Sequence, residues 1–221
     1  DTVQYKQGSG DLTVTYAAAV VAGAADSVNV HVDGQTAGTL TLASIETLNF
    51  TASGTKSTIT TVTASSATAM TLAGDVKLTI GTAPATLQSI DLSASTGGSS
   101  ITISPSSVLA VTGGSGNDAV NLAATLSTLT SFNGGDGVDT LTITDADTLT
   151  KFTAPNVTNV EVLSAATGDA TAYDASLISG IVSLVATDLT GGQELLGKFV
   201  SESGDYFIIK KPLTLMYGQK I

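Results

Sequence analysis

Two glycine-rich stretches carry the most specific chemistry in this chain. Gly113-Gly-Ser-Gly-Asn-Asp-Ala-Val-Asn121 and Gly134-Gly-Asp-Gly-Val-Asp-Thr-Leu-Thr142 share one pattern, Gly-Gly-x-Gly-x-Asp-x-U-x, in which U is a large apolar residue. The glycines of such a loop permit a tight turn, part of it at positive φ, that aims carbonyl oxygens inward. The aspartate adds a hard anionic oxygen, and U opens a strand and buries itself. Donors of that kind suit Ca²⁺, which takes about six to eight oxygen ligands, more than one loop supplies. Two loops facing each other can complete one site. Asp118 and Asp139 are then the expected side-chain ligands, with carbonyls of Gly114, Gly116, Gly135 and Gly137, and with Asn117 and Asp136 as extra donors. The competing reading is a pair of Gly-Asp and Gly-Asn turns without an ion, which such dipeptides form readily. Asp145 and Asp147 follow the second loop as a further donor pair or as a solvated turn.

Other chemistry finds little footing. His31 is the single histidine, at an alternating position in Val28-Asn-Val-His-Val-Asp33, where an outward strand residue is expected rather than a base. No Gly-x-Ser-x-Gly elbow accompanies the many serines. Zero Cys excludes disulfides, thiolate metal sites and cysteine nucleophiles. Glycoside chemistry lacks its stacking platform, since Trp is absent and no Tyr lies between positions 17 and 172. The chain therefore reads as a non-enzyme. Its 8 basic residues are all lysines against 19 acids, a net charge of −11, which leaves no basic face for nucleic acid. The longest apolar run, Ala17–Ala25, is far short of the ~20 residues of a membrane-spanning helix.

The loops must be held by strands. Period-two alternation with outward threonine marks Asp11–Tyr16, Ser27–Val32, Thr39–Leu42, Lys77–Ile80, Ser100–Ile103 and Thr140–Thr144 as short half-buried strands. Threonine suits such positions because its branched Cβ favours the strand while its hydroxyl meets water. Asp174–Ala186 is the best helix candidate and is explained equally well as a strand after a turn. Ile90, Val111 and Phe132 follow one another at one constant step, each leading into a similar block. An aliphatic–acid pair recurs in Ile45-Glu46, Ile90-Asp91 and Val160-Glu161. Imperfect repetition with a period of about 20 residues, two short strands to each, predicts an all-β fold of the β-solenoid or β-roll type, with a β-sandwich as the alternative. The expected organisation is an N-terminal β segment, cap or sandwich-like piece over 1–40, the solenoid over 41–190, and a separate small β module over 191–221. That last stretch holds half of the lysines and a hairpin signal at Ser203-Gly-Asp205. A start at Asp1 without Met reads as a segment of a longer chain.

The stretch Gly38–Leu189 resembles bacterial surface-layer proteins of the RTX type, through Gly38-Thr-Leu-Thr-Leu-Ala-Ser-Ile-Glu-Thr-Leu-Asn-Phe50 and Val111-Thr-Gly-Gly-Ser-Gly-Asn-Asp-Ala-Val-Asn-Leu122. It departs from that pattern in having only two loops, opened by Gly113 and Gly134. They stand wider apart than the array of such loops, which recurs on one side at about 18 residues, so at most one sandwiched ion is expected. The resemblance implies secretion, bound Ca²⁺ and self-assembly into a lattice on the cell surface, with cell-surface polysaccharide as a further partner. Two other readings stay open: a virion component such as a tail fibre or decoration protein, and a secreted adhesin module.

Overall fold

A computed structural model describes residues 2–106, 109–123, 129–143, 156–166, 181–187 and 206–209. Among them every regular element is a strand. One sheet stacks β1 (Thr2–Gly8), β3 (Ser27–Gln35), β5 (Thr47–Ala52), β8 (Ala69–Gly74), β10 (Ser89–Ser95), β12 (Leu109–Thr112), β14 (Leu129–Asn133) and β16 (Asn156–Thr158). A second stacks β6 (Ser57–Ile59), β9 (Leu78–Ile80), β11 (Ser99–Ile103), β13 (Ala119–Leu122), β15 (Thr140–Ile143), β17 (Val162–Ala166), β18 (Ser183–Thr187) and β19 (Tyr206–Ile209). A short third sheet holds β2 (Leu12–Val14), β4 (Thr39–Leu42) and β7 (Thr61–Thr63). Every pairing is parallel. The chain thus winds from the first sheet to the third in the opening two coils and, from β5 onward, through a corner to the second and back, coil upon coil; the molecule is a β-solenoid.

The sequence alternation explains the core. Successive side chains on a strand point to opposite faces, so each coil sends one row inward. In the first sheet Val28, Leu48, Met70, Ile90, Val111 and Phe132 are successive partners in one buried column, and their numbering shows a nearly constant coil length. In the second, Ile59, Ile80, Ile101, Val120, Leu141 and Leu163 form the facing column. Ile45, Ala67 and Leu87 are buried where the chain turns back toward the first sheet. No coil could bury its apolar row alone; the next coil supplies the cover.

Three expectations change against this frame. The first forty residues run as coils of the same stack, since β1 pairs with β3 and β3 with β5 in parallel, with no sandwich pairing among their described strands. The aliphatic–acid repeat is not one position in space. Glu46 precedes a strand of the first sheet, Asp91 lies within β10, and Glu161 precedes a strand of the second. At the C-terminal end β19 pairs in parallel with β18, extending the second sheet. Residues 183–186 of the helix-or-strand candidate are strand; its residues 174–180, the hairpin turn at 203–205 and the Asp145/Asp147 pair lie outside the described residues.

Candidate metal centre

The two nonapeptides occupy the passage from the first sheet to the second, a corner that each coil from β5 onward makes. The loop 113–118 joins β12 to β13, and the loop 134–139 joins β14 to β15. The equal spacing read from the sequence is the coil step itself, because Val111 pairs with Phe132 and Val120 with Leu141. The loops therefore stack directly. Gly113 N–H donates to the Asn133 carbonyl at 2.6 Å and Asp136 N–H to the Gly114 carbonyl at 2.9 Å. Glycine is demanded by this closeness: a Cβ on Gly113 would fall on the Gly134 carbonyl, and one on Gly134 would fall on the Asn159 carbonyl. Gly135 and Gly137 add φ values of +93° and +122°, a region L side chains rarely enter.

Inside this corner runs a polar seam in an otherwise apolar core. Gln35, Ser57, Ser95, Ser99, Asp118 and Asp139 make up the buried polar or charged residues among those described, and all border the passage between sheets. At its lower coils the seam is neutral: Gln35 N–H donates to Ser57 Oγ at 3.2 Å, and Ser95 and Ser99 hydroxyls meet at 3.2 Å. From Asp118 onward it is anionic. Strand register sets Asp118 beside Asp139 and Asp139 beside Glu161. Each carboxylate caps backbone behind it. Gly114 N–H donates to Asp118 Oδ2 at 2.8 Å, Asp118 N–H to Asp139 Oδ1 at 2.7 Å, and Asp139 N–H to Glu161 Oε2 at 2.8 Å.

The remaining oxygens define the site. Asp118 and Asp139 are 1% and 0% exposed, yet Asp118 Oδ1 and Asp139 Oδ2 have no hydrogen-bond partner. The Ser99 amide and hydroxyl face the Asp118 carboxylate, without closing a bond on Oδ1. Burial pushes the Asp118 carboxyl above its ordinary range, against hydrogen bonds from Gly114 and Ser99 and the charge of Lys77. Burial likewise pushes Asp139 up, to about 6; the Asp118 N–H opposes this, while the negative charges of Asp118, Glu161 and Asp136 reinforce it. A buried carboxylate without a counter-charge is costly and either neutralises or recruits a cation.

The donors fit a hard divalent cation: they are oxygen throughout, anionic and sheltered, whereas a softer metal would call for thiolate or imidazole. The single His lies elsewhere, on β3, with Nε2 2.6 Å from Ser53 Oγ. No three of His, Cys, Asp and Glu converge on one point among the described residues, so an ion between the loops needs backbone carbonyls to complete its shell. Of the expected donors, Asp118 and Asp139 are brought together inside the corner. Asn117 and Asp136 are exposed on the outer rim, and Asn117 Oδ1 already accepts the Val138 N–H at 3.0 Å. Gly114 and Gly135 stack, as do Gly116 and Gly137, although the Gly114 carbonyl already serves Asp136. Motif reading passed over Glu161 and Ser99. For Glu161 a signal existed: it follows Asp139 at almost the interval by which Asp139 follows Asp118. No family model, curated protein or solved structure matches the chain.

Proposed function

We propose that this chain is a structural protein of an extracellular surface layer, a β-solenoid stapled by Ca²⁺ at the Asp118/Asp139 corner and assembling with copies of itself. The observation that carries this reading is the pair of fully buried, register-stacked carboxylates, each with one oxygen lacking a partner. Their burial destabilises the ion-free corner, and a divalent cation held by Asp118, Asp139 and the loop carbonyls would convert that cost into cohesion between coils. A stack of parallel coils with repeated outward Thr rows and few charges suits a lattice element better than a catalyst.

The test is light scattering of the purified chain titrated with CaCl₂ and then with a chelator, beside its melting temperature under the same conditions. Calcium-dependent growth to large particles that chelation reverses, with a raised melting temperature, is the expected result. A raised melting temperature with fixed particle size would keep the staple and favour a virion or adhesin module. Indifference of both measurements to calcium would overturn the metal and the lattice together.

A further inference from the structure

Asp139 is the last glycine-loop acid of the described corners, and the way the following coil treats it is specific. Its N–H is taken by Glu161 Oε2 at 2.8 Å, while its carbonyl accepts from Glu161 N–H at 3.2 Å and Val162 N–H at 2.9 Å. The residues before Glu161, Asn156-Val-Thr-Asn-Val160, contain no glycine loop. Glu161 therefore repeats the acid of the two loops without repeating the loop. Asp118 hands its N–H to Asp139, and Asp139 needs an equivalent acceptor one coil on, because at 0% exposure no water can serve its amide. The longer glutamate provides one from a corner built differently.

Resting on the calcium reading above, we infer that Glu161 is a positioning residue of the cation site: it fixes the Asp139 peptide, and hence the aim of the unpartnered Oδ2, and sets a third negative charge one coil from the ion without touching it. Two observations beyond the acidic file itself point to a ligand there. Asp139 Oδ2 is buried and unpartnered, and it turns inward on its own loop, where a Cβ on Gly134 would strike it. Glu161 Oε2 is already engaged by the Asp139 N–H, which assigns Glu161 to support of Asp139. Partners that orient a metal ligand in this way govern affinity strongly even though they lie outside the coordination sphere.

Glu161→Gln separates charge from geometry, since the amide oxygen still accepts the Asp139 N–H. Calorimetric titration with CaCl₂ should show affinity reduced roughly 10-fold in Glu161→Gln, with a calcium-free melting temperature equal to or above that of the parent. Glu161→Ala, which also removes the acceptor, should lose more affinity and melt lower without calcium. Asp33→Asn, which deletes a charge on β3 in an earlier coil, where Asp33 Oδ1 accepts the Thr55 N–H at 3.0 Å, should leave affinity unchanged. Parent-like affinity in Glu161→Gln, or an equal loss in Asp33→Asn, would overturn the inference. If the parent itself binds no calcium, the underlying metal reading fails instead, so the two failures are distinct.

Discussion

Asp118 and Asp139 divide their work between two oxygens: one caps the backbone of a neighbouring turn, and the other has no hydrogen-bond partner. This division decides how the site can be probed. Alanine would leave the half-buried Gly114 amide and the buried Asp118 amide without acceptors, at about 1–3 kcal/mol for the buried one. Asparagine keeps an acceptor and removes the charge. The double variant Asp118→Asn/Asp139→Asn should therefore unfold in urea, without calcium, at least as late as the parent, and should lose the stabilisation calcium gives the parent. That gain should reach about 2.7 kcal/mol when free calcium is 100 times its dissociation constant. The pH response follows from the same residues. Asp139 sits at about 6 in the fold against 3.8 when unperturbed, so the folded state holds the proton more tightly and the group favours folding fully below about 3.8, a contribution lost as pH rises through about 6. Calcium-stripped protein should thus melt higher at pH 5 than at pH 8, and Asp139→Asn should flatten that difference. With calcium saturating, protons compete with the ion and the trend should reverse.

At the scale of elements, the strands were readable and the corners only partly so. Each of the six alternating segments contains a strand, because inward Val, Ile and Leu with outward Thr match a pleat buried on one side, although only Leu12–Val14 of Asp11–Tyr16 is strand; Ile90, Val111 and Phe132 are true register partners. The loop pair was readable because glycine is compulsory where one coil's backbone touches the next. Gly113→Ala places a methyl on the Gly134 carbonyl and should cost ~3 kcal/mol or more in urea unfolding, whereas Gly10→Ala, with nothing within 4 Å, should change stability by under ~0.5 kcal/mol. Phe132, fully buried between β12 and β16, should lose ~3–5 kcal/mol on truncation to Ala. Glu161 escaped motif reading for a physical reason. Its partner bond runs to a backbone amide one coil away, and a carboxylate can make that bond from any corner that reaches, with or without glycines. The repeated Ile-Glu, Ile-Asp and Val-Glu pairs misled in the opposite direction, since despite their local likeness they stand at three different stations of the coil.

The molecule as a whole is a one-dimensional stack whose every described strand pairing joins neighbours in the same sheet. The first forty residues were hard to assign because the opening coil, from Val3 to its partner Val30, is longer than the next, from Val28 to Leu48. The loop that fills the extra length hides the register. Cohesion in such an array is close to a sum of coil and interface terms, so a staple at one corner should protect chiefly the coils it joins. Amide hydrogen exchange should slow on adding calcium at β12–β15 and remain nearly unchanged at β1 and β3; uniform slowing would mean that the stack melts as a single unit. Parallel pairing has a mechanical corollary as well. Tension applied along the axis loads the coils in series, so a single molecule pulled from its ends should yield in a staircase. Each step should release about 20 residues, or roughly 70 Å of extended chain, and under the calcium proposal the coils of β12–β15 should be the stiffest treads once the ion is added.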